Sequence, residues 1–128
     1  MHRELVERLA TAYNRQDISI LKEVLHPELL YSSQWVLQSI TSRKEYLDYI
    51  EGKFKTITKT KARIFAEIAK YRGRPCIIMA QRTRQQKVCL VLVKVSDGLI
   101  AQIDLCQAPH FSSALPLNYY PGLEEDQN

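Results

Sequence analysis

Residues 87–106 read KVCLVLVKVSDGLIAQIDLC, and this stretch decides the fold. Two runs rich in Val, Leu and Ile flank Asp97-Gly98. That dipeptide is a strong signal for a two-residue hairpin loop, because both of its residues tolerate the left-handed backbone such a turn requires. With Asp97-Gly98 as the loop, Val95 faces Ile100, Val93 faces Gln102, Val91 faces Asp104 and Cys89 faces Cys106. Lys94 with Ala101, Leu92 with Ile103 and Leu90 with Leu105 take the other side. Directly opposed residues share a face, so both faces of the hairpin are expected to be largely apolar. Helices can cover only one face of a single sheet. The economical cover for the other is a second copy of the chain, so the pattern predicts a homodimer built through the sheet.

Further strands lie upstream. Ala62, Ile64, Ala66 and Ile68 alternate with Lys61, Arg63, Phe65 and Glu67, the period of two that marks a half-buried strand. Tyr71-Arg72-Gly73-Arg74-Pro75 reads as a turn, Cys76 to Arg84 as a second strand, and Gln85-Gln86 as a tight connection to Lys87. Before Lys59 the period is helical. Leu5, Leu9, Ala12 and Tyr13 recur on one side of Glu4–Asn14. Asp17 is placed to cap a short helix, Ile18–Leu25, that His26-Pro27 must end. Leu29 to Leu37 reads as a strand or a bent strand pair. Ser42-Arg43-Lys44-Glu45 matches a capping box and opens a third helix whose Leu47, Ile50, Phe54 and Ile57 share a side. Three helices followed by a meander of antiparallel strands define an α+β domain. Its expected extent is 1–108, with 109–128 as a C-terminal extension whose last residues are expected to be mobile.

The chain has 128 residues, 45% of them hydrophobic and 25% charged, which suits one folded domain and argues against wholesale disorder. No apolar run approaches the about 18 residues of a membrane helix, and the first residues lack a signal-peptide core. A cytoplasmic protein is expected, with no membrane partner. Cys76, Cys89 and Cys106 are odd in number and widely spaced, which reads as reduced thiols and not as a disulfide framework or zinc site. Charge is uneven. Residues 53–94 hold 12 basic residues against Glu67 alone, whereas residues 95–128 hold no basic residue and 5 acidic ones. Such a segment attracts phosphate or acidic partners, or simply guards strand edges. Nucleic acid is not the expected partner, since no stacking aromatics interleave regularly with the basic residues.

The order of elements, with Tyr-Asn-Arg-Gln-Asp (13–17), Leu-His-Pro-Glu-Leu-Leu-Tyr (25–31), Ile-Thr-Ser-Arg-Lys-Glu-Tyr (40–46) and Ser-Asp-Gly-Leu-Ile-Ala-Gln-Ile-Asp (96–104), resembles the nuclear-transport-factor-2-like superfamily. It looks most like the bacterial SnoaL-like and ketosteroid-isomerase-like branch, over residues 3–107. The resemblance implies a cone-shaped α+β barrel, with the three N-terminal helices in the concave face of a strongly curved, mostly antiparallel sheet and a pocket at its open end. Ketosteroid isomerases use a carboxylate base on the first strand and a tyrosine on the first helix. Those positions fall at Ser32 or Ser33 and near Leu9, so the resemblance carries the fold but not that chemistry.

Within such a pocket, Ser33 pointing inward takes Tyr31 and Trp35 with it, and Tyr13, Tyr46 and Tyr49 approach from helices. These residues either grip a flat ligand or fill the core. Asp104, flanked by Ile103 and Leu105, is expected either as a catalytic acid or base or in a salt bridge with Arg82 or Arg63. His110, just after the last strand, is placed to close over the pocket mouth. No cofactor and no metal are expected. The expected function is binding of a small apolar or aromatic molecule, extending to cofactor-free isomerase, lyase or cyclase chemistry. The alternative is a non-catalytic dimeric interaction module with a filled pocket.

Overall fold

A computed structural model of the chain describes residues 2–33, 36–106 and 114–123, with the backbone alone at 36–38. Trp35, His110 and the final residues expected to be mobile lie outside the described residues. The elements are α1 (His2–Arg15), α2 (Ile18–Val24), β1 (Leu25–Ser33), β2 (Val36–Ile40), α3 (Arg43–Thr60), β3 (Ile64–Tyr71), β4 (Arg74–Gln81), β5 (Lys87–Ser96), β6 (Leu99–Cys106) and β7 (Leu115–Tyr119). The described strands form one curled, open sheet in the order β2-β1-β6-β5-β4-β3-β7. Pairing is antiparallel except between β1 and β6, which run parallel.

Local signals set the helix ends. The Asp17 carboxylate accepts the Ser19 N–H at 2.9 Å at the start of α2. The Ser42 hydroxyl accepts the Glu45 N–H at 3.1 Å, and Lys61 ends α3 in the left-handed conformation. The helices lie in the concave face of the sheet. Leu9 and Tyr13 of α1, Leu21 of α2, and Tyr46, Ile50 and Phe54 of α3 bury against Ala66, Ile68, Ile77, Val91, Ile100 and Ile103 of the strands.

Asp97 and Gly98 both have positive φ, as the hairpin signal requires. The register beyond the turn corrects the sequence reading. Val95 pairs with Ile100 as expected, but Lys94 pairs with Gln102, Val93 with Ile103, Leu92 with Asp104, Val91 with Leu105 and Leu90 with Cys106. Ala101 is the extra residue of a β-bulge, and one residue of slip moves every later side chain of β6 to the other face. The physical gain is clear. Without the slip Asp104 and Gln102 would face Val91 and Val93 inside the core; with it, Ile103 and Leu105 take those places. Cys89 and Cys106 consequently lie on opposite faces instead of facing each other.

The convex face is thereby divided. Around β3, β4 and β5 it is apolar and packs with the chain's own C-terminal residues: Ala69, Cys76, Ile78 and Leu90 with Ala114, and Phe65 and Ala80 with Tyr120. Around β1 and β6 it carries Ser32, Gln102 and Asp104. The opposed apolar pairs that called for a second copy are therefore absent from the second half.

β7 is an element that the sequence pattern did not reveal. It pairs with β3 across a bulge between Ile68 and Ala69, where the Asn118 N–H donates to Glu67 Oε2 at 2.8 Å. Glu67 is only 6% exposed, so this bond satisfies a buried carboxylate. Asn14 extends the same edge. Its Oδ1 accepts the Ala66 N–H at 2.7 Å, and its Nδ2 donates to the carbonyls of Ala66 at 3.0 Å and Pro121 at 2.7 Å.

Candidate functional site

Between α3 and the concave sheet lies a cavity of about 780 Å³. One side is the face of α3 that repeats every three or four residues: Tyr46, Tyr49, Lys53 and Thr56, with Gly52 between them. The strand side consists mainly of apolar residues, including Tyr31 of β1, Ile64 of β3, Met79 of β4, Cys89 of β5 and Leu105 of β6. Tyr13, in the last turn of α1, closes one end.

Four tyrosines meet there. The hydroxyls of Tyr13 and Tyr46 are 2.8 Å apart and share a hydrogen bond. The Tyr31 ring lies 4.9 Å from that of Tyr46 and 5.5 Å from that of Tyr49, both tilted. The amphipathic ring explains why this residue type is used: its body contributes to the apolar wall and its hydroxyl offers a polar handle. Burial pushes the phenols of Tyr13, Tyr31 and Tyr46 well above the ordinary value, because a phenolate would be poorly solvated there. Burial likewise pushes the Cys89 thiol up to about 12. At neutral pH these groups are therefore neutral hydrogen-bond donors, and none is poised as a base or a thiolate nucleophile.

Tyr13, Tyr31 and Tyr49 of the sequence-derived set are brought together here. Ser33 is half-buried and is not among the residues lining the cavity. Asp104 is on the convex face, where its carboxylate accepts the Ser32 hydroxyl at 2.5 Å and the Gln102 amide at 2.8 Å. The expected arginine partner is absent from these bonds: Arg63 instead stacks over the Phe65 ring at 4.9 Å. Asp104 was assigned to the pocket from an unbulged register, and the slip at Ala101 is why it faces away. The tyrosine on α1 is Tyr13, one turn beyond the Leu9 position to which the family pattern pointed. Lys53, Gly52, Cys89 and Met79 were missed. Only the continuation of the Tyr46–Tyr49 face by one helical turn pointed to Lys53. Among the described residues, no group of three or more His, Cys, Asp or Glu side chains is arranged to hold a metal ion, and no helix is long and apolar enough to cross a membrane.

No protein-family profile matches the sequence, and no curated protein does. Solved structures do match in fold. An NTF2-like protein of unknown function from Mesorhizobium loti superposes with a TM-score of 0.65 at 16% identity, over 81% of this chain and 88% of that one. An NTF2-like protein of unknown function from Cytophaga hutchinsonii gives 0.62 at 16% identity, over 85% and 91%. An LEH-like epoxide hydrolase from M. tuberculosis gives 0.61 at 14% identity, over 88% and 83%. The class is thus an α+β cone with helices in its concave face. The chain has the nuclear-transport-factor-2-like fold.

Proposed function

We propose that the cavity binds a small, largely apolar or aromatic molecule whose oxygen accepts hydrogen bonds from the tyrosine hydroxyls. The observation that carries this is the Tyr13–Tyr46 pair, two buried phenols in mutual contact at 2.8 Å on the wall of a mostly apolar cavity of about 780 Å³. That size is within the range of small-molecule sites, where a few placed polar groups orient a ligand held by apolar contact. One protein of the same fold is named an epoxide hydrolase, a small-molecule activity that supports the reading. Proton-transfer catalysis is the weaker reading, because Tyr13, Tyr31, Tyr46 and Cys89 are all protonated at neutral pH and Asp104 faces the other way. Titration with 4-phenyl-1-butanol, followed by calorimetry and amide chemical shifts, tests the proposal. Saturable binding with shifts centred on Tyr13, Tyr31, Tyr46 and Tyr49 is expected; absence of binding, or shifts confined to another surface, refutes it.

The proposal includes a homodimer through the polar half of the convex face, centred on Leu30, which is 48% exposed and pairs with Gln102. Light scattering is expected to give the mass of two chains for the wild type and one for Leu30→Lys. A monomeric wild type refutes this arrangement.

A further inference from the structure

The lysines of α3 differ in their surroundings: Lys44 and Lys55 have carboxylate partners, and of Lys53 and Lys59, which have none among the described residues, only Lys53 lines the cavity. Lys44 pairs with Asp48 at 3.4 Å and Lys55 with Glu51 at 3.9 Å, the i,i+4 pairing of a solvated helix surface. Lys53 has Tyr49 and Ile57 at those spacings and lines the cavity with both. Its ammonium sits 5.3 Å from the Tyr49 ring centroid, and its charge opposes the upward shift that burial imposes on the Cys89 thiol. Among the described residues no carboxylate lies within ion-pair distance of Lys53. None of the cavity-lining residues is acidic. The one acid within 53–94, Glu67, is turned to the convex side and bonded to the Asn118 N–H. A cation at the edge of an apolar cavity, with no protein counter-ion, attracts an anion more strongly than it would in open water.

We infer that the ligand is an amphipathic organic acid, whose apolar or aromatic body occupies the cavity and whose carboxylate takes the place of the missing counter-ion at Lys53. The inference rests on the binding reading above and adds the ligand's charge and orientation to it. Lys53 positions the carboxylate at the opening beside Tyr49, while the body runs inward along the wall toward the Tyr13–Tyr46 hydroxyls, which bond a further oxygen of the ligand. Lys55, two residues away but already paired, contributes nothing comparable.

The test uses two probes of matched shape, 4-phenylbutyrate and 4-phenyl-1-butanol, titrated by calorimetry into the wild type, Lys53→Gln and Lys55→Gln. A charge-assisted contact at an exposed lysine on the rim of the cavity is expected to favour the acid over the alcohol by up to about tenfold in the wild type. Lys53→Gln is expected to erase that preference, and Lys55→Gln, on the solvated surface of the helix, to preserve it. Equal binding of acid and alcohol by the wild type overturns the inference and leaves the cavity reading standing. So does a preference that survives Lys53→Gln, or one that Lys55→Gln removes equally, since diffuse surface charge then explains it. Failure of the acid alone to bind overturns only this inference; failure of the alcohol overturns the cavity reading and this inference with it.

Discussion

Gly52 lies in mid-helix on the cavity face of α3, where glycine is a poor choice for stability. It is not among the residues with positive φ, so the backbone does not require it. A Cβ built there meets no heavy atom within 4 Å. Ala at an unstrained helix-interior position is favoured over Gly by about 0.8–1.0 kcal/mol. Gly52→Ala is therefore expected to stabilise the protein by up to about 1 kcal/mol, because no clash offsets the propensity gain. For a domain of this size, that corresponds to a rise in Tm of about 3–6 °C in a thermal melt followed by circular dichroism. The larger Gly52→Leu is also a good helix former, but its side chain enters the opening beside Tyr49 and Lys53. It is expected to retain a raised Tm while weakening 4-phenyl-1-butanol binding by about tenfold or more, the effect of removing apolar contact area comparable to one or two methylenes. Together the variants separate stability from access. A lowered Tm for Gly52→Ala would show that the space is not open, and unchanged binding by Gly52→Leu would show that the opening lies elsewhere.

Other perturbations test other parts of the fold. Tyr13→Phe and Tyr46→Phe each leave a buried hydroxyl without its 2.8 Å partner and are expected to cost about 1–2 kcal/mol in urea denaturation; the double variant should cost clearly less than their sum, and strict additivity refutes the pairing. Burial holds the phenols of Tyr13, Tyr31 and Tyr46 above the ordinary value of 10.0, so the stability tied to their protonated forms is complete below that pH and is lost as pH rises toward the folded values. Cys76 and Cys89, raised from 9.0 to about 12, add a loss that begins above pH 9. Urea midpoints should consequently fall through the alkaline range, with phenolate absorbance appearing partly in step with unfolding; complete phenol ionisation in the folded state refutes the burial argument. Glu67→Ala removes the acceptor of the Asn118 N–H and is expected to cost about 1–3 kcal/mol, with amide exchange accelerating first in β7. Exchange that accelerates uniformly along the sheet would refute a local role.

The elements were legible in the sequence wherever periodicity was unambiguous. α1 and α3 show helical spacing, Asp17 and Ser42 marked the starts of α2 and α3, and Asp97-Gly98 specified the turn. The bulge was not legible because 88–93 is apolar on both alternations, so hydrophobicity alone does not say which face of β5 the Gln102–Asp104 side of β6 lies beside, and the two registers that differ by the Ala101 slip look alike. That single ambiguity also misplaced Asp104. β7 escaped notice because Pro116 and the left-handed Asn118 interrupt a strand that is held at an edge and buries none of its side chains. In the cavity the tyrosines stood out by type, whereas Lys53 resembled any surface lysine. Its significance comes from what its neighbours lack, and pairing across the fold is not written in local sequence.

The Asn14 bridge has a consequence for synthesis. Its amide bonds to Ala66 and to Pro121, the latter 107 residues away, and β1 must likewise wait for β6. On the ribosome the carbonyl of Pro121 is made about 5–20 s after Asn14 at ordinary elongation rates. Helix α1 can form within microseconds, yet it has no completed sheet to dock on until the C-terminal third has been synthesised. The nascent chain therefore carries an apolar helix face and open strand edges through most of its translation, and the last strands convert that exposed intermediate into a single cooperative unit.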